Sequence, residues 1–502
     1  MTRVAEPGTT RQVASTGLAG LDDILAGGFT RRRLYLLEGV PGSGKTTLAL
    51  QFLMAGAAAG ESVLYITLSE TEEELLSVAD SHGWRLDGIG VRELTPPEAA
   101  LDLDQQNTMF HPSEVELAFT TRLILEDVER LKPTRVVFDS LSELRLLAGS
   151  ALRYRRQILA LKQFFATRDC TVLLLDDMTS TDRDLQVQSI AHGVVLLEQL
   201  NPEYGAERRR MRVVKYRGVK FRGGYHDYVI KRGGIEVFPR LVAAEHRQVS
   251  ARTKLPSDIA ELDTLLGGGL EEGTSTLIVG AAGTGKSTVA AQFAVSAARR
   301  GKHAAMFIFD ESPETLRNRC AELDVDLQTH LATGQISLQQ VDPAELTPGE
   351  FVHAIRDAVE ENEAKVVVID SLNGYLNAMP EERYLTIHLH ELLMYLGQKG
   401  VATILIGAHQ GLIGAQMTTP VDATYLADAV ILLRYFESKG EVRQAISVMK
   451  KRGSKHERTL REFRLADGRI TVGAALREFR GVLTGVPTYE RSDERGRDKG
   501  DL

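Results

Sequence analysis

The chain has 502 residues, of which 43% are hydrophobic and 25% are charged, a composition typical of globular proteins with more than one core. The formal net charge of −8 argues against broad nucleic-acid binding, which needs a basic face. No apolar run has the length of a membrane span, and residues 1–20 lack the basic and apolar segments of a signal peptide. We therefore expect a cytoplasmic protein that has no membrane partner and is unlikely to bind nucleic acid.

Cysteine and histidine usage points to neither a disulfide nor a zinc site. Cys170 and Cys320 lie one in each half of the chain, in ordinary sequence, so we expect two buried thiols. His388 and His390 stand two positions apart on an expected helix, where they point to different faces.

The first phosphate-binding signature is "GVPGSGKTTLA" at residues 39–49, which has the form G-x-x-x-x-G-K-[ST]. It lies between the apolar run "RLYLLEG" and an amphipathic stretch, which is the strand–loop–helix context that such a loop requires. Its backbone N–H groups can face a β-phosphate, its lysine can reach the γ-phosphate, and a threonine hydroxyl can join a Mg²⁺ shell. The expected ATP-binding residues are Gly39, Gly42, Ser43, Gly44, Lys45, Thr46 and Thr47.

Two acidic residues end the apolar runs that follow. Glu70 ends "VLYITLSE", and Asp139 stands near the end of "RVVFDS". Hydrolysis needs a carboxylate that orients water or accepts its proton, and an aspartate at a strand end can hold Mg²⁺. The alternatives are an acid in the first turn of a helix for Glu70 and a turn or cap residue for Asp139. We favour a catalytic role for Glu70 and a metal-binding role for Asp139.

The second half of the chain repeats the first. An offset of 241 residues takes Lys45 to Lys286 and Glu70 to Glu311, and "GAAGTGKSTVA" is a second phosphate-binding signature. A repeat unit of this length is a duplicated domain rather than a solenoid. The expected ATP- and Mg²⁺-binding residues are Gly280, Gly283, Thr284, Gly285, Lys286, Ser287, Thr288 and Asp370, with Asp310 and Glu311 as the catalytic acids.

Short apolar runs alternate with amphipathic stretches in both halves, which predicts α/β domains with a parallel sheet and helices on both faces. The predicted organisation is an N-terminal tail (1–14), a first domain (15–245), a linker (246–256), a second domain (257–488) and a disordered tail (489–502).

These features together resemble the RecA-like P-loop ATPases and, more narrowly, the circadian clock KaiC family. The resemblance covers about residues 15–490 and includes "GLDDILAGG", both loops and "GEVRQAISVMKKRGSKHERTLREF". It implies two tandem RecA-like domains in a homohexamer of two stacked rings, with ATP held between neighbouring subunits. It also implies slow ATP hydrolysis in the first ring, serine/threonine autokinase and autophosphatase activity in the second, and a KaiB-like or other signalling partner.

The resemblance gives a role to a repeated K-x-R pattern. Lys215 and Arg217 in "VVKYRG", and Lys450 and Arg452 in "VMKKRG", match the family's cations that reach a neighbour's γ-phosphate. A solvated basic turn is the alternative for a single K-x-R. The recurrence in both halves favours the functional role.

The family's phosphoacceptors are an adjacent serine and threonine before an apolar strand, and their place falls on Thr424 and Tyr425. Gln188 and Ser189 occupy the corresponding positions of the first half, so that half lacks the double acceptor. The alternative is that Thr424 and Tyr425 only lead into the strand, which their residue types also suit.

One departure from the family concerns its Glu-Glu pair, which reads Ser69-Glu70 in the first half and Asp310-Glu311 in the second. The missing carboxylate at Ser69 leaves hydrolysis to Glu70 alone. Besides the ATPase and autokinase, two further functions stay open: a nucleotide-switched signalling scaffold with little turnover, and a RecA-like DNA-binding ATPase. Phosphate release and salt-dependent DNA binding distinguish the three.

Overall fold

The computed structural model describes residues 11–94, 112–178, 185–202, 205–246, 253–377, 385–408, 423–484 and 488–489. The chain forms two compact units, Met1–Arg240 and Leu241–Leu502, and each is described by itself. All but the first residue of the expected disordered tail lies outside the described residues.

The first unit alternates strands and helices before it ends in consecutive strands. Its elements are β1 Val13–Ala14, α1 Ala19–Ile24, β2 Phe29–Thr30, β3 Leu34–Gly39, α2 Lys45–Ala58, β4 Val63–Thr67, α3 Glu72–His82, β5 Ile89–Glu93, α4 Pro112–Leu131, β6 Arg135–Asp139, α5 Leu141–Ala148, α6 Ala151–Ala166, β7 Thr171–Asp176, α7 Leu185–Ile190, β8 Gly193–Leu200, β9 Arg208–Tyr216, β10 His226–Lys231 and β11 Gly234–Phe238.

The second unit follows the same plan. Its elements are β12 Lys254–Leu255, α8 Ala260–Leu265, β13 Leu270–Glu271, β14 Ser275–Gly280, α9 Lys286–Arg299, β15 Ala304–Ile308, α10 Pro313–Glu322, α11 Leu327–Ala332, β16 Ile336–Gln340, α12 Pro348–Glu360, β17 Val366–Asp370, α13 Leu372–Asn377, α14 Leu385–Gln398, β18 Ala402–Ala408, β19 Ala429–Ser438, β20 Glu441–Lys451, β21 Arg461–Ala466, β22 Arg469–Ala475, β23 Phe479–Arg480 and β24 Thr488–Tyr489. Short 3₁₀ helices span Ala243–His246, Ala423–Tyr425 and Val482–Thr484.

Each unit is built on one nine-stranded sheet with the same strand order. The order is β11-β10-β9-β8-β3-β7-β6-β4-β5 in the first unit and β22-β21-β20-β19-β14-β18-β17-β15-β16 in the second. The six strands from β8 to β5, and from β19 to β16, run parallel to one another. These are the tandem RecA-like α/β domains that the sequence predicts.

The central strands are apolar along their whole length because helices cover both faces of each sheet. In β3, Tyr35 and Leu37 belong to a core that includes α2, whereas Leu34 and Leu36 belong to a second core that includes α6. All six residues of β3 are buried, as are all six of β14.

The sequence did not predict the three antiparallel strands that extend each sheet. In the first unit, β9 pairs with β8 and β10, and β10 pairs with β11, all antiparallel. The strand β9 reads "RRRMRVVKY", in which basic residues interrupt the apolar ones, so it lacks the continuous apolar run of a central strand. The K-x-R patterns lie at the ends of β9 and β20.

The boundary between the units falls earlier than the expected linker. Leu241 and Ala243 pack into a core of the second unit, and the Ala243 backbone N–H donates to Glu391 at 3.1 Å. At the other end of the expected linker, Leu255 of β12 pairs with Leu270 of β13. The linker segment 247–252 lies outside the described residues.

Within the described part of the chain, no helix combines the length and apolar character needed to cross a membrane.

Candidate nucleotide sites

The phosphate loop of the first unit joins the carboxyl end of β3 to the start of α2. Gly44 immediately precedes α2 with a left-handed φ of 89°, and a Cβ atom there would lie 2.7 Å from the Ile230 side chain. Only glycine therefore fits this backbone without strain. Lys45 folds back over the loop, and its Nζ donates to the carbonyl oxygens of Gly39 at 2.9 Å and Val40 at 3.2 Å.

Lys45 also forms an ion pair that the sequence analysis missed. Its Nζ lies 2.9 Å from Oδ1 of Asp177, and the Ser142 hydroxyl donates to Oδ2 at 2.9 Å. Burial acts to raise the pKa of Asp177, but the hydrogen bond and charge of Lys45 outweigh it, so the pKa lies below its ordinary value. The available signal was the acidic doublet that ends "TVLLLDD", at the sheet edge where the loop lies.

The predicted metal ligand of the first unit is the last residue of β6. Asp139 is buried, and the Tyr65 hydroxyl donates to its Oδ2 at 2.6 Å. Burial raises the pKa of Asp139 to about 6, although the bond from Tyr65 opposes the shift. A buried carboxylate that is short of compensating positive charge favours an arriving cation.

Glu70 lies beside this carboxylate. The Thr46 hydroxyl donates to Glu70 Oε1 at 3.5 Å, and Oε2 is buried without a hydrogen-bond partner among the described residues. Burial, and secondly the charge of Asp139, raise the pKa of Glu70 to about 7, where a general base is effective. Ser69 is exposed and has no carboxylate. Within the Ser69-Glu70 pair, Glu70 therefore places the carboxylate near Thr46.

Glu70 is not part of the first turn of a helix, which was the alternative role for this residue. The helix α3 begins at Glu72, after Thr71, whose hydroxyl accepts a hydrogen bond from the Glu74 backbone N–H at 3.2 Å. The same arrangement recurs in the second unit, where Ser312 caps α10 and Glu311 precedes the cap. Both glutamates therefore stand in the segment between a parallel strand and its helix.

The second phosphate loop repeats the backbone of the first, with Gly285 at φ 92° before α9. Lys286 Nζ donates to the Ala281 carbonyl at 2.7 Å. Burial lowers the pKa of Lys286, opposed by the charge of Asp370. Ala408 pairs with Gly280 in the sheet register, so an alanine occupies the place that Asp177 has in the first unit.

The expected metal ligand of the second unit is buried, as its counterpart is. Asp370 ends β17 with 7% exposure, and its Oδ2 lacks a hydrogen-bond partner among the described residues. Burial raises the pKa of Asp370 to about 6, and the nearby Ser287 hydroxyl opposes the shift. Ser287 and Asp370 thus lie together, as the metal role requires.

The predicted catalytic acids of the second unit, Asp310 and Glu311, both accept hydrogen bonds from other side chains. Glu311 accepts two hydrogen bonds from Arg319, from Nη2 to Oε1 at 2.7 Å and from Nη1 to Oε2 at 2.8 Å. Asp310 accepts a short hydrogen bond from the Ser371 hydroxyl. Arg319 carried no motif or spacing signal in the sequence.

Four further side chains predicted to bind ATP are buried, whereas Gly42 and Gly283 of the two loops are exposed. Ser43, Thr47, Thr284 and Thr288 have exposures of 6% or less. Thr284 donates to the Ala281 carbonyl at 2.8 Å, and the Ser43 carbonyl accepts from the Tyr228 hydroxyl at 2.6 Å. These two contacts stabilise the turn of each loop.

The K-x-R cations lie at the opposite edge of each sheet from that unit's own loop. Lys450 Nζ donates to the Thr424 carbonyl at 2.8 Å, and Arg452 Nη2 donates to the Tyr425 carbonyl at 3.0 Å. Both acceptors precede β19, whose first residue, Ala429, pairs with Thr276 near the start of β14. The phosphate loop follows Gly280, at the other end of β14. At about 3.3 Å per residue, Gly280 lies about 13 Å along the strand from Thr276.

The first unit shows the same contacts. Lys215 Nζ donates to the carbonyl of Gln188, and Arg217 Nη2 donates to the carbonyl of Ser189 at 2.6 Å. Gln188 and Ser189 are the residues that the sequence aligns with Thr424 and Tyr425, so equivalent cations hold equivalent backbone positions.

The residues present fit ATP and Mg²⁺. Thr46 with Asp139, and Ser287 with Asp370, would hold a Mg²⁺ ion in each unit. Among the described residues there is no cluster of three or more His, Cys, Asp or Glu that could hold a metal alone. Magnesium is commonly bound by one or two protein oxygens together with substrate phosphates and waters, which suits these pairs.

Comparison with known proteins agrees with this geometry. The family described as "ATPase: KaiC" matches residues 14–242 and again residues 255–477. A relative named circadian clock oscillator protein KaiC, from Picosynechococcus sp., is 27% identical over 96% of this chain and 94% of its own length. Another of that name, from Synechococcus elongatus, is 26% identical over 96% and 92%. Circadian clock protein KaiC3 from Synechocystis sp. is 26% identical over 95% of both chains.

Proposed function

Because the chain belongs to the KaiC family of ATPases, we propose that it is an ATP-hydrolysing ring protein whose second unit also phosphorylates its own chain. The observation that carries this proposal is the separation of each phosphate loop from the K-x-R cations of the same unit. Each unit carries a set of candidate nucleotide-binding groups, and in each set the cations are at the wrong edge of the sheet to serve their own loop.

Assembly follows from this separation. A neighbouring subunit could place its K-x-R cations against a loop. These cations would then complete the positive charge around the γ-phosphate. Lys215 and Arg217 would serve the first-unit sites, and Lys450 and Arg452 the second-unit sites. We propose a homohexamer of two rings, located in the cytoplasm, because the family resemblance implies this form.

Hydrolysis is assigned to the first unit. Its Glu70 has a pKa of about 7, raised mainly by burial, and one oxygen without a hydrogen-bond partner among the described residues. Such a carboxylate can accept the proton of a water that attacks the γ-phosphorus. Mg²⁺, when bound, neutralises charge on the β- and γ-phosphates.

Phosphoryl transfer is assigned to the second unit. The Thr424 hydroxyl oxygen would attack the γ-phosphorus of ATP held by the loop of a neighbouring subunit, and ADP would leave. Asp310 or Glu311 of that subunit would accept the hydroxyl proton. Tyr425 is 55% exposed and offers a second hydroxyl, on a longer and more rigid side chain.

The decisive experiment is intact-mass measurement and phosphopeptide mapping after incubation with Mg-ATP. We expect phosphate on Thr424, and its loss in Thr424→Ala. Ser189→Ala is the matched control in the first unit and should keep the phosphate. Thr418 and Thr419 are nearby hydroxyls that lie outside the described residues. Absence of phosphate from these two and from Thr424 and Tyr425 would reject the autokinase and leave a two-ring ATPase.

A nucleotide-switched scaffold is the second candidate function. Two observations favour it: Asp177 already pairs with Lys45, and Arg319 already pairs with Glu311. The Arg319 pair would slow turnover, whereas the Asp177 pair would oppose ATP binding in the first unit without abolishing it. A KaiB-like or other signalling partner would then respond to the nucleotide state. Phosphate release by the purified protein separates this candidate from the ATPase.

A further inference from the structure

The most informative difference between the two units is the environment of their candidate catalytic glutamates. Glu311 is held by both terminal nitrogens of Arg319, at 2.7 and 2.8 Å. Its side chain is 18% exposed and that of Arg319 is 35% exposed. A bidentate arginine–carboxylate pair fixes the carboxylate in orientation as well as in position, especially where water is partly excluded.

Among the described residues of the first unit, no arginine pairs with Glu70. The offset that relates the two loops takes Arg319 to Val78, a partly buried residue of α3. There the glutamate contacts the Thr46 hydroxyl at 3.5 Å and keeps one oxygen free of hydrogen bonds within the described structure. The two units therefore present similar loops and metal ligands but differ in how their glutamates are held.

This difference affects hydrolysis. In that reaction a water oxygen bonds to the γ-phosphorus, the bond to the bridging oxygen breaks, ADP leaves with the electron pair, and the glutamate takes the water proton. A glutamate must therefore point at the water. The carboxylate of Glu311 is instead hydrogen-bonded to Arg319, a side chain of α10, the helix that follows Glu311 in the chain.

We propose that Arg319 is a positioning residue that holds Glu311 on α10 and thereby keeps ATP hydrolysis in the second unit slow. This inference rests on the proposed function, in which the glutamates act as the bases of hydrolysis. While Glu311 is held, ATP in the second unit stays available for longer for transfer to the chain, with Asp310 as the base of that transfer.

The test uses full-length protein with Glu70→Gln, which silences hydrolysis in the first unit. Adding Arg319→Val copies the residue of the first unit. We expect kcat for phosphate release to rise about tenfold with KM little changed, since a general base contributes about 10²-fold or more when it is free to act. Adding Glu311→Gln to this variant should return kcat to the Glu70→Gln level.

The control arms separate positioning from a structural role. Loss of packing alone would lower the melting temperature and the nucleotide affinity, without a rise in kcat that depends on Glu311. If Arg319→Val fails to fold, Arg319→Lys keeps the charge but cannot bridge both oxygens, and kcat should rise severalfold. An unchanged or lower kcat in the folded variant would overturn the proposal.

Failure of the proposed function would look different. In that case Glu70→Gln alone would leave the turnover of the parent protein unchanged, before any change at Arg319.

Discussion

The ammonium group of Lys45 lies 2.9 Å from the carboxylate of Asp177. In the second unit, Ala408 stands at the matching position, and Lys286 contacts a loop carbonyl. ATP must draw the ammonium of Lys45 away from a carboxylate, whereas Lys286 has no such competitor at that position. The two units therefore differ in the nucleotide-binding cation as well as in the glutamate.

Asp177→Ala should tighten ATP binding in the first unit about tenfold. A partly exposed charge-assisted hydrogen bond contributes about 1.5 kcal/mol, and that contribution no longer opposes ATP when the carboxylate is gone. Binding of a fluorescent ATP analogue in a Lys286→Ala background reports on the first unit alone. Ala408→Asp, in a Lys45→Ala background, is the mirror variant and should weaken binding in the second unit. Weaker binding in Asp177→Ala would instead make this carboxylate part of the binding site.

Glu70→Gln should lower steady-state hydrolysis by about 10²-fold or more in the first unit, because an amide cannot accept the water proton. Phosphate release at saturating ATP is the measurement. Ser69→Ala is the control and should turn over ATP at the normal rate, since Ser69 is exposed. Full activity in Glu70→Gln would transfer the role to Glu311 or remove glutamate from the mechanism.

The stability of the nucleotide-free protein should fall as pH rises from about 4 to 7. Burial raises the pKa of Asp370 to about 6 in the folded chain, so the folded state holds this proton more tightly than the unfolded state. The stabilisation is present below the ordinary aspartate pKa and is lost as pH rises through 6, by about 3 kcal/mol at most.

Thermal unfolding without nucleotide, at several pH values, measures this loss. Asp370→Asn should give a flatter pH dependence than the parent chain. Adding Mg-ATP at pH 7.5 should stabilise the parent more than the variant. Equal pH profiles for the two proteins would show that Asp370 does not carry the effect.

Lys45→Ala and Lys286→Ala should each weaken nucleotide binding in their own unit and reduce assembly. In the proposed ring each loop uses cations from a neighbour, so bound ATP should link subunits. Native mass spectrometry gives both the oligomeric state and the number of nucleotides bound. Hexamers fully loaded with nucleotide in both variants would contradict the assignment of the loops.

Much of the fold was accessible from the sequence because its central strands are buried on both faces. Runs such as "RLYLLEG" and "KVVVIDS" must lie inside a helix-covered sheet, and they form β3 and β17. The antiparallel strands were not accessible in this way. In β9, for example, basic residues interrupt the apolar ones, and its pairing with β8 identifies it as part of the sheet.

Some residues of the candidate site could be predicted from the sequence, and others could not. Local signatures such as the loops need only a short stretch of chain, and both have the backbone that the pattern predicts. Partners brought together by the fold carry no such signature. Asp177, which follows β7, reaches Lys45 from 132 positions later in the chain, and Arg319 reaches Glu311 because α10 begins just after that glutamate.

In the proposed ring, the placement of loop and cations at opposite sheet edges would give every subunit a donor side and an acceptor side. A head-to-tail row of subunits then leaves one loop unserved at one end and one pair of cations unused at the other. Closing the row satisfies both ends at once, so the last contact adds more than any earlier one. Partly assembled rows should consequently be scarce, and a chain that lacks only one of the two sides should act as a terminator when mixed with normal chains.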